Sequence, residues 1–267
     1  MEWRRVKTIL IALFIAIDVA LAVNLFVIRD IYIQKYDSAI SDALDIAEKK
    51  GVYIEKKTIP KENRKLSAFE VMTDEITSGE VIEMVIGASN MVEESAGVFN
   101  YISGGNVATA RPGGIFEISM LHDKSDNQSD EDISKNLIKK IDRSRLSLNQ
   151  TDPADPFGYK QYIDNIPVFN SEVKIEIAGR AVKIDGRCAV GRKNALDMRV
   201  KTAYELVLDI TEFFKGSDSA VTVTGIKQGY YMNAATGGKL RVMPTWEVET
   251  QEGYYYFDMT TGEPSSG

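Results

Sequence analysis

Residues Thr8–Ile28 have the sequence TILIALFIAIDVALAVNLFVI. This stretch contains one ionisable side chain, Asp18, and one amide, Asn24. Because an α-helix rises about 1.5 Å per residue, a helix of this length extends about 30 Å, the thickness of the hydrocarbon core of a bilayer. A helix also satisfies its own backbone hydrogen bonds in lipid. The stretch therefore predicts a transmembrane helix at residues 8–28.

A cleaved signal peptide is the competing interpretation of the same stretch. Ala20-Leu21-Ala22 resembles the small-x-small pattern of a cleavage site. However, the apolar run continues to Ile28 and is longer than the roughly 7–15 residues of a signal-peptide core. The length favours an uncleaved anchor. A mature chain that begins after Ala22 would contradict it.

The residues that flank the stretch predict its orientation. Arg4, Arg5 and Lys7 precede it, whereas Arg29 and Asp30 follow it and cancel each other. Basic flanks stay in the cytoplasm, and Trp3 suits the headgroup level. We therefore expect a cytoplasmic tail at 1–7, a single span at 8–28 and an extracellular remainder in a cell-membrane protein.

Charge and cysteine content narrow the functional classes. The chain of 267 residues has 32 basic and 39 acidic side chains. The first 28 residues contain three of the basic ones (Arg4, Arg5, Lys7) and two of the acidic ones (Glu2, Asp18). The remainder therefore has 29 basic and 37 acidic side chains, a net charge of −8. Such a charge argues against binding to nucleic acid and against lying on anionic lipid. Cys188 is the single cysteine, so no internal disulfide exists, and a small buried residue is the expected role.

Small and polar residues recur within the predicted span. Ala12, Ala16, Ala20 and Asn24 are spaced by four residues and form one stripe along a helix. Asp18 lies about 200° from Ala16, near the middle of the span. Small residues let helices approach closely, and intramembrane carboxylates usually have partners, so these five residues are predicted partner-helix contacts. The alternative is that alanine is merely common in membrane helices and that Asp18 is tolerated.

The remainder of the chain predicts an α+β fold with two lobes, each a helix with an antiparallel sheet. The first lobe, at 29–147, begins with a juxtamembrane helix at Arg29–Lys50 that ends at Gly51 and docks on the first sheet. A meander is expected from alternating apolar segments separated by glycine-rich turns. Its predicted strands are Val98–Ser103, Asn106–Ala110 and Ile115–Met120.

The second lobe is predicted at 148–267. Two Asp-Pro steps within Leu148–Phe157 indicate the boundary between the lobes. A hairpin around Ala178-Gly179-Arg180 and a long helix at Asn194–Lys215 are expected next. The predicted C-terminal strands are Ala220–Met232, Lys239–Thr250 and Gly253–Met259.

Several motifs along the chain resemble one protein family. The start, Met1-Glu2-Trp3-Arg4-Arg5-Val6-Lys7-Thr8-Ile9 followed by Ile17-Asp18, is the most specific of them. Others are the stretches at 101–105 (YISGG), 159–171 (YKQYIDNIPVFNS) and 244–262, which opens with PTWEV. Together they are similar to the YycI (WalI) family of Gram-positive bacteria. Residues Asp123–Asp132 and Ala68–Ser95 do not follow the family pattern.

The resemblance implies a non-enzymatic accessory regulator of a cell-wall-linked two-component system. Family members are membrane-anchored and act on the YycG/WalK sensor histidine kinase through its transmembrane helices. The resemblance also implies a partnership with a YycH-like regulator. No cofactor is predicted.

An enzyme and a wall-facing binding module are the alternative functional classes. For an enzyme, His122 is the single histidine, and the chain has no G-x-S-x-G, H-E-x-x-H or Walker-type loop, so no catalytic or metal-binding residues are predicted. For a wall-facing module that binds a peptide or glycan, the span would be only a tether. Trp246 and the aromatic residues at 254–257 would then form a sugar platform, although core packing is the commoner role of such residues.

Overall fold

The computed structural model describes residues 3–60, 66–72, 75–95, 97–122, 128–142, 147–189, 193–217, 219–234 and 239–265. Within these ranges the side chains at 4–6, 9, 12, 25–33, 72, 75–78, 80, 93–95, 142 and 193 are outside the description. The fold is of the α+β class, as predicted, with two β-sheets that each carry helices.

The helices of the described residues differ greatly in length. They are α1 (Trp3–Lys49), α2 (Glu75–Ile86), α3 (Asp130–Asp142) and α4 (Ala203–Phe213), with a short 3-10 helix at Lys56–Thr58. The α1 helix is continuous over 47 residues. It covers both the predicted span and the predicted juxtamembrane helix, which confirms helical structure for both stretches.

The strands belong to two sheets, which we call sheet A and sheet B. The strands of sheet A are β1 (Val52–Ile54), β2 (Ala68–Met72), β12 (Lys193–Leu196), β13 (Val221–Ala234), β14 (Lys239–Thr250) and β15 (Gly253–Asp258). Those of sheet B are β3 (Asn90–Ser95), β4 (Val98–Ser103), β5 (Asn106–Arg111), β6 (Ile115–Leu121), β7 (Ser147–Asp152), β8 (Asp155–Ile163), β9 (Ile166–Pro167), β10 (Glu172–Ala178) and β11 (Ala181–Arg187).

Sheet A is formed by the two ends of the chain. Its order is β1-β13-β14-β2-β12, and β15 also pairs with β14. β1 pairs with β13 in parallel, and the other pairs are antiparallel. The last two predicted C-terminal strands are present as β14 and β15, which form an antiparallel hairpin.

Sheet B is formed by the middle of the chain, in the order β3-β4-β5-β6-β11-β10-β8-β7 with β9 beside β8. The predicted meander is confirmed as β4, β5 and β6, and the predicted hairpin is confirmed as β10 and β11. All of sheet B lies between β2 and β12, which pair with each other in sheet A. Sheet B is therefore an insertion into the unit built on sheet A.

This insertion differs from the two consecutive lobes predicted at 29–147 and 148–267. Strand β6 pairs with β11 along seven residues, so strands from both sides of residue 147 share sheet B. The two Asp-Pro steps form the turn of the β7–β8 hairpin instead of a linker. Asp152 Oδ1 accepts from the Ala154 N–H at 2.8 Å, and Asp155 Oδ1 accepts from the Phe157 N–H at 2.9 Å. These side-chain acceptors stabilise the turn locally.

The helix predicted at Asn194–Lys215 is shorter in the structure. Its first residues form β12 and an extended segment, and α4 begins only at Ala203. The reason is a capping box: the Glu205 carboxylate accepts from the Thr202 N–H at 2.7 Å, and Thr202 caps the N3 backbone in return. The preceding residues gain backbone partners in β2 instead.

Each sheet has its own hydrophobic core. The core of sheet A contains side chains from α1, α4 and β13–β15, including Trp246 and Phe257. The core of sheet B lies under α2 and α3 and includes Cys188, which is fully buried as predicted. Burial raises the pKa of the Cys188 thiol to about 12, so the thiolate that would react with oxidants is scarce.

The segment after β9 joins the two sheets. The Asn170 side chain donates to the Met232 carbonyl and accepts from the Met232 N–H, both at 2.8 Å. Arg187 of β11 donates to the same carbonyl at 3.2 Å. The Phe169 N–H donates to the Tyr230 carbonyl at 2.8 Å. Sheet B is thus fixed to β13 by hydrogen bonds between specific groups.

We predict that Asn170→Ala destabilises the protein by about 1–3 kcal/mol, because the partly buried Met232 N–H loses its acceptor. Urea unfolding of the full chain in mild detergent measures the loss. Asn149→Ala, an exposed amide on β7, is the matched control and should change stability by less than about 0.5 kcal/mol. Equal effects of the two variants would contradict the role of Asn170.

Candidate membrane-anchor and partner-contact helix

The N-terminal part of α1 exposes large apolar side chains. Phe14 is 57% exposed and Ile11 is 60% exposed, although both are in the middle of a regular helix. The exposed apolar residues there are Leu10, Ile11, Leu13, Phe14, Ile15, Ile17, Val19, Leu21 and Val23. A contiguous apolar surface of this kind marks a site of interaction with a protein or a membrane.

The predicted partner-contact residues all lie in this part of α1. Ala16, Asp18, Ala20 and Asn24 are exposed, and Ala12 is in the helix although its side chain is outside the described set. The helical backbone places Ala16, Ala20 and Asn24 along one stripe and Asp18 on nearly the opposite side. The stripe geometry that the spacing predicted is therefore present. Contact with a partner stays a prediction.

The predicted orientation residues occupy the first turns of α1. Trp3 is 69% exposed, and the Lys7 ammonium lies 5.5 Å from the centre of its ring, which is cation–π distance. Arg4 and Arg5 lie in the same helix.

Across the described residues, we find no helix with enough length and apolar character to span a bilayer. The single N-terminal transmembrane helix is thus a proposal and not a feature of the described structure.

The C-terminal part of α1 is packed into the folded unit. Ile40, Ala43 and Ala47 are buried, with exposures of 4%, 3% and 0%. They belong to one cluster with the apolar face of α4, which presents Leu206, Val207 and Ile210. Tyr36 and Leu44 pack at its edge. The sequence predicted docking on a sheet of the first lobe, but α1 packs mainly on α4 and β1.

The close approach of α1 to α4 follows from the small residues at the contact. Ala43 and Ala47 are one turn apart, and neither side chain extends beyond Cβ, so the backbone of α1 can lie near α4. The sequence predicts the helix at Arg29–Lys50 but does not single out Ala43. The four-residue spacing of Ala43 and Ala47 was the available signal.

Ion pairs flank this contact at both ends. Lys50 Nζ lies 3.1 Å from Glu212 Oε2 of α4, and Lys56 Nζ lies 3.4 Å from Asp37 Oδ1 of α1. Hydrogen bonds from Lys215 and then from Lys50 lower the pKa of the Glu212 carboxyl. All of these side chains are at least one-third exposed, so the pairs orient the elements more than they stabilise them.

The end of α1 leads directly into sheet A. Gly51 adopts a positive φ of 81°, a conformation that glycine accepts without steric cost, and its carbonyl accepts from the Val221 N–H at 3.0 Å. β1 begins at Val52 and pairs with Val221–Val223 of β13. Only two residues separate the helix from the sheet, so α1 and sheet A are linked without a flexible connection.

The C-terminal aromatic residues do not form one exposed platform. Trp246 and Phe257 are 1% and 0% exposed, and Tyr255 packs edge-on against Phe214, the C-cap residue of α4, with ring centres 4.9 Å apart. Tyr254 is exposed. Core packing, the commoner role expected for these residues, is found for Trp246 and Phe257, whereas Tyr255 and Tyr256 are half-buried.

Comparison with known proteins gives little similarity. No family model matches the chain, and no curated protein matches it. One similar solved structure is the crystal structure of an uncharacterized protein from Eubacterium rectale, with 10% sequence identity, 76% of this chain and 86% of that chain covered, and a TM-score of 0.42. A similarity at this level carries no functional argument.

We predict that Ala47→Leu destabilises the packing of α1 on α4 by about 1–3 kcal/mol, because the larger side chain has no space at a fully buried position. Thermal unfolding and limited proteolysis within residues 34–50 measure the change. Ser38→Leu, at an exposed position of the same helix, is the control. If Ala47→Leu is as stable as Ser38→Leu, the contact does not hold α1 in place.

Proposed function

We propose that this protein is a non-enzymatic, membrane-anchored accessory regulator of a cell-wall-linked sensor histidine kinase. In this proposal Thr8–Ile28 crosses the cell membrane once, with the N-terminus in the cytoplasm and the remainder outside. The span contacts the transmembrane helices of a kinase of the YycG/WalK type, together with a YycH-like regulator.

One observation carries the proposal: α1 is a single helix with two different environments. Its N-terminal part exposes apolar side chains, and its C-terminal part is buried against α4. A helix that served only the fold would not need the exposed apolar part. Because the helix is continuous and fixed in the domain at one end, a movement caused by a partner at its other end can reach the domain.

The family resemblance supports the identity of the partners. It rests on the N-terminal motif around Trp3-Arg4-Arg5 and on the motifs that fall on β4, on β8 and β9, and on β14 and β15. The energetic requirement is modest. A kinase is shifted between signalling states by about 1–3 kcal/mol of differential binding, and helix contacts in membranes supply about 0.6–2 kcal/mol each.

Asp18 is the residue with the strongest reason to have a partner. A charged carboxylate near the middle of a bilayer costs about 2.5–3.5 kcal/mol on insertion scales. A hydrogen-bond donor on a neighbouring helix would offset this cost. The stripe of Ala16, Ala20 and Asn24 is on nearly the opposite side, which gives the helix two contact faces for two partner helices.

We predict that replacing residues 8–28 by an unrelated transmembrane helix of equal length abolishes kinase control while the chain stays in the membrane. The reason is that the partner contacts are in the span itself. Kinase output from a reporter gene is the measurement, and membrane fractionation is its control. Retained kinase control would support the tethered binding module instead.

We predict further that Asp18→Leu and Ala16→Leu each reduce co-purification of the kinase from membranes by about fivefold or more, equivalent to a loss of about 1 kcal/mol. Val19→Leu, which changes an exposed apolar residue for another, is the matched control. Crosslinking from positions 16 and 18 identifies the helix that each side contacts. The contact model fails if both variants behave like Val19→Leu.

A further inference from the structure

The structure has a cavity of about 480 Å³ beside β14 of sheet A. It lies where β14 changes partner, because residues 239–242 pair with β2 and residues 245–250 pair with β15. Protein sites for small ligands are commonly clefts of about 300–1,000 Å³. The cavity therefore has the size of a ligand site, and the side chains that line it decide which ligand fits.

The cavity is on the face of sheet A that is turned away from α1 and α4. Arg241 and Met243 line it, whereas the alternating residues Leu240 and Val242 belong to the core that contains both helices. Met243 is 5% exposed, and Met198 from the segment before α4 also lines the cavity. Methionine side chains are flexible, so these two can adapt to apolar groups of different shapes.

One cationic and one anionic side chain line the described part of the cavity, and they are Arg241 and Asp258. Asp258 is opposite Thr245 in the pairing of β14 with β15. Thr245 is four residues along β14 from Arg241, which is about 13 Å at about 3.3 Å per residue. The cavity therefore has a positive end and a negative end.

Both charged groups keep hydrogen-bonding capacity for a ligand. Arginine has five N–H donors, and the described bond of Arg241 uses one of them, from Nη2 to Glu70 Oε1 at 3.0 Å. The described bonds of the Asp258 carboxylate are all at Oδ1. This oxygen accepts from the N–H groups of Thr260 and Thr261 at 2.6 and 3.3 Å and from the Thr260 hydroxyl at 2.6 Å. Among these contacts, Oδ2 of Asp258 is left for a ligand.

The positive end keeps a net charge although Arg241 is paired. Glu70 is shared between Arg241 and Lys239, whose Nζ lies 3.2 Å from the second carboxylate oxygen. Two cations and one carboxylate leave one positive charge at this end. At the other end, Asp258 has hydrogen-bond donors but no ion pair within the described residues, so its negative charge is not neutralised.

We propose that the cavity binds a short peptide by its two ends, with the carboxylate at Arg241 and the ammonium group at Asp258. An extended peptide covers about 3.3–3.6 Å per residue, so about two to four residues span the distance between the two charged side chains. A single amino acid is too short, because its two charged groups are attached to the same carbon. This inference goes beyond the proposed function, since peptide binding requires neither the kinase nor the membrane.

The test measures binding of trialanine to the full chain in mild non-ionic detergent by calorimetry. The same peptide is also used with its amine acetylated or with its carboxylate amidated, and alanine alone is the fourth ligand. We expect each blocked peptide to bind about tenfold or more weakly than free trialanine, because each has lost one charge-assisted hydrogen bond. Alanine should also bind about tenfold or more weakly, since it cannot reach both ends.

Two variants assign the ends of the peptide. Arg241→Gln should bind free and amidated trialanine equally but still prefer the free over the acetylated form. Asp258→Asn keeps an oxygen that can accept from the loop N–H groups, and it should bind free and acetylated trialanine equally but still prefer the free over the amidated form.

The matched controls change charge near the cavity without changing its lining. Lys239→Gln removes the other partner of Glu70, and Glu249→Gln removes a carboxylate from the same face of β14. Neither residue lines the cavity, so both variants should keep both preferences.

The comparison of free and blocked peptides on the unchanged chain decides the proposal even where a variant does not fold. Equal binding of free and blocked trialanine overturns it, as does the absence of binding of the free peptide. Loss of both preferences in Lys239→Gln and Glu249→Gln also overturns it. Each of these results leaves the proposed anchor and kinase contact standing, because the variants of residues 8–28 test those separately.

Discussion

The packing of Ala43 and Ala47 of α1 against α4 is the contact on which the arrangement of the chain depends. It fixes the C-terminal end of α1 in the folded unit. The link through Gly51 to β1 then fixes the helix relative to sheet A. Without the packing on α4, α1 would be joined to the domain only through residues 50 and 51 and β1. Because the packed connection is rigid, a movement of the N-terminal part of α1 would also move the domain.

Alanine residues of α1 occur in two different environments, one buried against α4 and one exposed in the N-terminal part of the helix. Where alanine faces α4, the helices lie close and the contact excludes water. Where alanine recurs in the N-terminal part, no described element of the chain is near, so the corresponding surface is available to other molecules. Alanines four residues apart thus occur both at the buried contact with α4 and in the exposed N-terminal part of α1.

Local sequence signals predicted much of this fold, and non-local pairing explains the errors. Strands β4 to β6 were predictable because glycine turns such as Gly104-Gly105 lie between them. The true start of α4 had a local signal as well, the Thr202–Glu205 capping box, which was overlooked. The pairing of β2 with β12 joins residues more than 100 positions apart, and no periodicity reveals it. In the candidate site, the stripe follows from spacing alone, whereas the choice of α4 as the docking partner does not.

The position of sheet B between β2 and β12 also has a consequence for biosynthesis. The ribosome releases α1 first, but α4 and β13, which α1 packs against or is linked to, follow more than 150 residues later. At about 5–20 residues per second this interval lasts about 8–30 s. The nine strands of sheet B have emerged by then, so this insertion can fold first. During synthesis, α1 therefore has no packing partner until the last third of the chain, which contains α4 and β13, has emerged.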